Sequence, residues 1–414
     1  SSDLRDNIDD FSQFCVESII TRFVLMGLSI CVYSCIFIFF SNEYTEYYVI
    51  LLLLLFSYII DFTWICEGLE QYKAITIRNS AVKLLSIVAI FVFVHDDGDL
   101  DNYFYINSLS SLIGNMVLIP YVKQYVNLRS VSHIKIFPHI KAALVFFLPS
   151  IASTVLYTSD KIMIGWFTND MSQNGCYEQA VKIETMIFMI FASLYVSMRA
   201  RMAYLYNSKP NDAKYYINKA LSVILFLSIP ICVGLIQISD VFVPWFFGEG
   251  YDGVVILLKI MAGWILVKSF SNCILELAIF YAGKVAVATR IVWIGTFINI
   301  IFNLLLIPEL GALGAAITSL ITEIVILGLV LRNTMQKIRL KAFRSEIIKE
   351  LLAAILMFCS MYVVKMLELN DTINVFLLII VGFLTYITLT AAMKVPVLAE
   401  VISIFRRKVT MDNE

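Results

Sequence analysis

Asp160 and Lys161 stand side by side in "LYTSDKIMIGWF" (156–167), a stretch otherwise suited to the interior of a bilayer. A carboxylate and an ammonium in lipid are costly, and the return is either a helix-fixing ion pair or the handling of an ionic ligand. Ser150, Ser153, Thr154, Tyr157, Asp160 and Lys161 recur at i, i+3, i+4, i+7 spacing. That puts them on one helical stripe, which must face protein or water. Pro149 predicts a kink at the lower end of the stripe. Neighbouring residues on a helix do not face each other, so Asp160 and Lys161 need separate partners. Glu178, Lys182 and Glu184 follow at similar depth on the next apolar run. The group reads as a buried ion-pair network joining two helices, or as the wall of a cavity for an ionic substrate.

Three further lysines deepen the question. Lys83, Lys259 and Lys268 lie inside apolar runs, where each charge costs about 2.5–3.5 kcal/mol at a helix centre. Asp61, Glu276 or Glu323 can offset part of this. Lys83 and Lys268 have no acid within a turn on their own helix, so a partner must come from elsewhere. Snorkelling accounts for Lys259, about two turns from the end of its run. A water-filled, positively biased cavity accommodates Lys83 and Lys268 more easily.

The elements that hold these residues are membrane helices. Of 414 residues, 60% are hydrophobic and 15% charged, and mean hydropathy is +0.84. That places the chain among polytopic membrane proteins. Twelve apolar runs are long enough to span: 19–40, 47–68, 74–94, 103–122, 142–167, 177–198, 216–238, 254–281, 285–307, 312–331, 347–367 and 373–393. Lipid leaves no partner for open sheet edges, so the runs predict helices and an all-α bundle. The segments before the first run and after every even-numbered run hold, in or beside them, 25 of the 31 Lys and Arg. The other loops hold only Lys365, and "HDDGDLD" has neither Lys nor Arg. The positive-inside rule therefore puts both ends of the chain and the 199–215 loop in the cytoplasm, and the 168–175 and 239–252 loops outside.

Several chemistries are not indicated. Seven of the eight cysteines lie in or beside apolar runs and Cys176 falls in an expected outer loop; no CxxC occurs. They read as small hydrophobes. The three histidines, His95, His133 and His139, fall in connecting segments, against a bis-histidine haem or a histidine relay. No P-loop, dinucleotide fingerprint, HExxH or GxSxG is present. No enzyme activity, cofactor, metal or nucleic-acid partner is expected.

"QYKAITIRNSAVKLLSIVAIFVFV" from Gln71 and "AGKVAVATRIVWIGTFINIIFNLLLIP" from Ala282 resemble each other. Each begins with a basic end, Lys then Arg78 or Arg290, follows a helix carrying Glu67 or Glu276, and climbs as a span. Internal repeats of this kind are common in secondary transporters. Pro308 and Gly311 then predict a tight turn, and Gly311, Gly314, Ala315 and Ser319 a small-residue face for close packing.

Four stretches resemble the Wzx-type O-antigen and polysaccharide flippases, within the superfamily of the MATE drug exporters: "EGLEQYKAITIRN" (67–79), "LPSIASTVLYTSDKIMIG" (148–165), "FFGEGYDGVVILLKIM" (246–261) and "LIPELGALGAAITSLITE" (306–323). The resemblance runs along essentially the whole chain, and Asp160 to Gly165 is its most specific part. It implies a two-lobe fold: residues 1–141 as an N-terminal lobe, 142–333 as a six-helix C-terminal lobe, and 334–414 as two further helices and a cytoplasmic tail. "LRDNIDDFSQFCVESII" resembles the link after the family's second span, so the first two helices are expected to be missing and this chain alone to be poorly stable and inactive.

The resemblance further implies flipping of polyprenyl-diphosphate-linked sugars across a bacterial inner membrane for O-antigen, lipopolysaccharide or other surface polysaccharide. Polysaccharide polymerase and glycosyltransferases are the implied partners. Lys83, Lys161, Lys182, Lys268, Arg78 and Arg290, with Asp160, Glu178 and Glu184, are the expected substrate-binding set. The alternatives are a MATE-type exporter of organic cations and a non-transporting membrane partner of polysaccharide assembly.

Overall fold

The computed structural model describes residues 8–39, 44–69, 71–124, 136–334, 340–367 and 369–398. Among them the secondary structure is helical, without strands. In chain order the helices are α1 (Ile8–Tyr33, continuing as a π-helical turn Ser34–Ile38), α2 (Thr45–Ile59), α3 (Thr63–Gly68), α4 (Tyr72–Phe93), α5 (Leu100–Val122), α6 (Ile136–Thr168) and α7 (Met171–Ser208). Then come α8 (Pro210–Phe247), α9 (Asp252–Ile274, continuing as a π-helical turn Leu275–Phe280), α10 (Val285–Leu310), α11 (Ala312–Thr334), α12 (Leu340–Lys365) and α13 (Asp371–Ala392).

Among the described residues the twelve apolar runs fall in helices, the second of them in two, as a chain that must satisfy its amides inside lipid requires. Ten helices of the described residues are long and apolar enough to cross a membrane, and the runs in α5 and α6 are not among them. The run in α5 is diluted by polar residues, Asp101 and six asparagines and serines, while in α6 the side chains of most of the first part of the run lie outside the described residues. The second run is not one helix but two. Between α2 and α3, Asp61 accepts from the Thr63 backbone N–H (3.0 Å) and hydroxyl (2.5 Å) and so starts α3 afresh. Arg22 of α1 donates to the Asp61 carbonyl at 2.8 Å and pairs with its carboxylate at 3.4 Å.

The expected loops are shorter than the sequence implied. α7 and α8 have 38 residues each, roughly 57 Å by helical rise, against a hydrocarbon core of about 30 Å. Only Lys209 separates them, so 199–215 is mostly helix. Cys176 is buried within α7 and not in a loop. Pro308 lies inside α10, and the turn narrows to Gly311, whose φ of 57° is in the left-handed region. Hydropathy sets the apolar length of a helix and says little about how far it runs on into water.

Two compact units are present, Ser1–Phe146 and Phe147–Glu414. In the first, α2 and α4 pack on α5, around Cys15, Ile65, Cys66, Ile75, Leu118 and Val122. At its loop before α5, the His95 backbone N–H donates to the Asp99 carboxylate at 2.9 Å and holds it below the usual range. In the second, α9 is the central helix, contacting α7, α8 and α11, and its Leu258, Met261, Ala262 and Ile265 are fully enclosed. α10 and α11 form a hairpin, and α12 and α13 pair with each other and lie on α8. The small-residue face packs as expected: a Cβ on Gly314 would meet the Leu306 carbonyl oxygen at 2.4 Å. The two resembling stretches form α4 and α10, one in each unit.

Candidate functional site

A connection of only Asn169 and Asp170, the former at φ 50°, turns α6 back into α7. Asp170 caps α7 by accepting from Ser172 N–H at 3.0 Å. So short a link forces the helices to run antiparallel, and the charges near the top of α6 meet those near the top of α7.

Lys161 forms an ion pair with Glu178, both about one-third exposed. Lys182, one turn further along α7, is exposed and has no ion-pair partner among the described residues. Asp160 turns the other way. Only 2% of it is accessible, and no base reaches it among the described residues. Instead its carboxylate accepts from the Tyr177 hydroxyl (2.6 Å), the Asn303 amide (2.6 Å) and the Ser319 hydroxyl (2.8 Å). Asn303 also donates to Asn299 Oδ1 at 3.0 Å, and Ser159 donates to the same oxygen at 3.1 Å. A single carboxylate thus ties α6, α7, α10 and α11 together through neutral donors, each of which it polarises. Ser153 and Tyr157 of the stripe border a common cavity, whereas the side chains of Pro149 and Ser150 lie outside the described residues.

Deeper in the unit, Lys268 of α9 pairs with Glu184 of α7 at 3.0 Å, and their exposures are 7% and 1%. The ammonium is boxed by three rings: Phe188 at 4.4 Å, Tyr157 at 4.6 Å and Trp264 at 4.6 Å from their centroids. Such faces attract a cation most when it is desolvated. Glu323 of α11 is 2% exposed and lies within electrostatic reach of Lys268. It accepts a short hydrogen bond from Ser271. Glu323 and Tyr157 border two cavities, one of about 10 Å³ shared with Asn299, Ser319 and Thr322. The other, of about 170 Å³, is shared with Ser153, Asn272, Glu276 and Thr289.

The sequence pointed to a lysine-biased passage. Within the second unit the buried charge of the described residues is acid-rich: Asp160, Glu184, Glu323 and Glu350 against Lys268. Lys268, expected at water, is sealed by its acid and its aromatic box. Of the cations expected to bind substrate in this unit, Lys161, about one-third exposed, with the exposed Lys182 and Arg290 of α10, remain accessible. In the first unit Lys83 is exposed. Arg78 is used structurally: it donates to Asn79 (2.7 Å), Thr63 (3.2 Å) and Asn115 (2.9 Å). Tyr177, Asn299, Asn303, Ser319 and Trp264 belong to the site and carry no charge to announce them. The signal available for two of them is the i, i+4 pair of asparagines in an otherwise apolar run. Among the described residues no group of three or more His, Cys, Asp or Glu is placed to hold a metal ion.

Residues 4–198 match a family described as polysaccharide biosynthesis protein. A protein of Shigella dysenteriae assigned as an O-antigen transporter is 22% identical over 324 residues, covering 76% of this chain and 80% of that protein. A protein of Haloferax volcanii assigned as the low-salt glycan biosynthesis flippase Agl15 is 26% identical over 234 residues, 56% of this chain and 49% of that protein. The solved structure of the lipid II flippase MurJ, in an inward closed conformation, superposes with a TM-score of 0.74 at 18% identity, over 93% of this chain and 84% of that one. These are transporters and flippases, not enzymes, and the helical fold of the MurJ structure is that of this multi-pass membrane protein. Over residues 4–198 the chain thus matches the polysaccharide biosynthesis family, and it is similar along most of its length to an O-antigen transporter and, in fold, to a lipid II flippase.

Proposed function

We propose that the chain moves polyprenyl-diphosphate-linked oligosaccharide units from the cytoplasmic to the outer leaflet of a bacterial inner membrane, for O-antigen or other surface polysaccharide. One observation carries this reading: the polysaccharide biosynthesis family match, joined to an O-antigen transporter aligned over 80% of its length. The diphosphate is a dense anion, for which lysine is a suitable point-charge partner. Lys161 and Lys182, the open ammoniums of α6 and α7, are the first candidates to meet it in the second unit, with Lys83 in the first. Arg290 is a further exposed base. Asp160, Glu184 and Lys268 act behind them by fixing the helices, and Glu178 tempers Lys161.

In this reading residues 1–141 and 142–333 are the two lobes, with 334–414 appended. The Lys/Arg distribution supports cytoplasmic ends. A polymerase and glycosyltransferases that supply and consume the lipid-linked unit are its natural partners. A second reading, export of small organic cations, draws on the acid-rich interior of the second unit.

Proteoliposomes test the two together. Lipid-linked oligosaccharide should become accessible to an impermeant lectin or glycosidase outside, at a rate that depends on the protein. Efflux of an organic cation without oligosaccharide translocation would replace the first reading by the second. Impermeant labelling of single cysteines in 199–215, in intact cells, would overturn the orientation.

A further inference from the structure

One charged group of the second unit is used by neither reading. Asp240 lies two turns before the end of α8. Its Oδ1 is 2.5 Å from Lys259 Nζ of α9, and its Oδ2 is 2.5 Å from Lys365 Nζ of α12. Among the described residues neither lysine pairs with another acid. One carboxylate facing two ammoniums leaves a net positive charge. All three side chains are about one-third exposed, at 32%, 37% and 29%, so this charge is open to the surroundings. Each ammonium has three donors, and Asp240 takes one from each.

The depth is that of a headgroup layer. Lys365 is the last residue of α12. Lys259 lies seven residues into α9, about 10 Å by helical rise, within reach of a snorkelling side chain. The same end carries exposed Trp245, Phe246 and Phe376, and Trp245 donates its indole N–H to Thr372 at 2.8 Å. Aromatic side chains of this kind gather at the membrane–water boundary. It is also the end that the Lys/Arg distribution leaves otherwise poor in base, so the two lysines are a local exception to it.

We propose that Lys259 and Lys365, held apart by Asp240, form a binding site for the phosphate of an anionic bilayer phospholipid. The carboxylate spaces two ammoniums and cancels one, leaving donors and one positive charge for one phosphate anion. A zwitterionic lipid brings its own cation, and the acid of this site is already shared by the two lysines. Free phosphate offers the same oxygens without an anchor in the layer where the lysines lie.

The full chain in detergent, exchanged with phosphatidylglycerol or phosphatidylcholine and analysed by native mass spectrometry, tests this. The wild type should retain phosphatidylglycerol preferentially. Lys259→Gln and Lys365→Gln each leave one intact pair with Asp240, so the fold is kept. Each should lower that retention about fivefold, the loss expected for one basic residue at an anionic surface. Asp240→Asn is the discriminating variant: it raises the local charge and should hold phosphatidylglycerol at least as well as wild type. Equal retention of both lipids, no effect of either lysine variant, or loss of retention in Asp240→Asn with the fold intact would each overturn the proposal. Displacement by millimolar inorganic phosphate would overturn the lipid assignment.

Discussion

Lys268 Nζ and Glu184 Oε1 stand 3.0 Å apart in the interior of the second unit, sealed from solvent by Phe188, Tyr157 and Trp264. Glu323 is the second acid in reach of the same ammonium. The two partners are therefore not equivalent. Glu184→Gln leaves Lys268 with Glu323, whereas Lys268→Gln leaves two buried carboxylates and no cation. Breaking a buried pair costs about 3–5 kcal/mol. Lys268→Gln should fall in or above that range and Glu184→Gln below it, measured as thermal stability in detergent. The double variant should recover part of the loss of Lys268→Gln.

Asp160 has a different chemistry and gives a different expectation. Its three partners all donate to it. Asp160→Asn replaces an accepting oxygen by an NH₂ that faces donors. Leaving a buried polar group unmatched costs about 1–3 kcal/mol, and more for a charge-assisted bond. Asp160→Ala should be worse, since Tyr177, Asn303 and Ser319 all lose their acceptor. Ser319→Ala, which removes one donor of three, should be milder than either. Thermal unfolding of the purified variants ranks them.

The exposed lysines should behave in the opposite way. Lys182→Gln breaks no ion pair among the described residues, so protein levels should stay near wild type while oligosaccharide translocation per folded molecule falls. Arg should restore part of it, as its fork is not equivalent to an ammonium. For Lys161, paired with Glu178 at the surface, the pair contributes about 0–1 kcal/mol. Lys161→Gln should therefore also lose transport without losing protein. Full transport in both variants removes them from the substrate path.

How much of this was written in the sequence depends on the kind of force involved. Length against bilayer thickness is a property of one segment, so every apolar run appears as helix. The adjacency of Asp160 and Lys161 implied separate partners, and they have them, in Tyr177, Asn303 and Ser319 for one and Glu178 for the other. What stayed hidden is pairing between distant segments. Asp240 and Lys365 are 125 residues apart, and Glu184 and Lys268 are 84 apart. A charge in an apolar run says that a partner exists without saying whether it is a substrate, water or another helix. Hence Lys268 pointed to a wet cavity and is enclosed by Glu184 and three rings. Asn299 and Asn303 were passed over because neutral amides do not disturb the charge pattern.

Glycines offer a test of packing that is independent of charge. A Cβ at Gly314 would stand 2.4 Å from the Leu306 carbonyl, which is backbone and cannot turn aside. At Gly295 it would meet the end of the Ile326 side chain at 2.6 Å, which can rotate. Overpacking typically costs about 1–3 kcal/mol. Gly314→Ala should reach the upper part of that range and Gly295→Ala the lower part, by thermal unfolding. Equal losses would show that the α10–α11 contact yields as easily as a side chain.

The contact at Gly314 also bears on how this protein can move. Where α11 rests directly on the backbone of α10, there is no layer of side chains to slide or re-pack between them. Beside its turn the hairpin therefore has no internal bearing, and any sliding of α11 on α10 must be taken up farther along, where Ile326 of α11 meets Gly295 of α10 through its side chain.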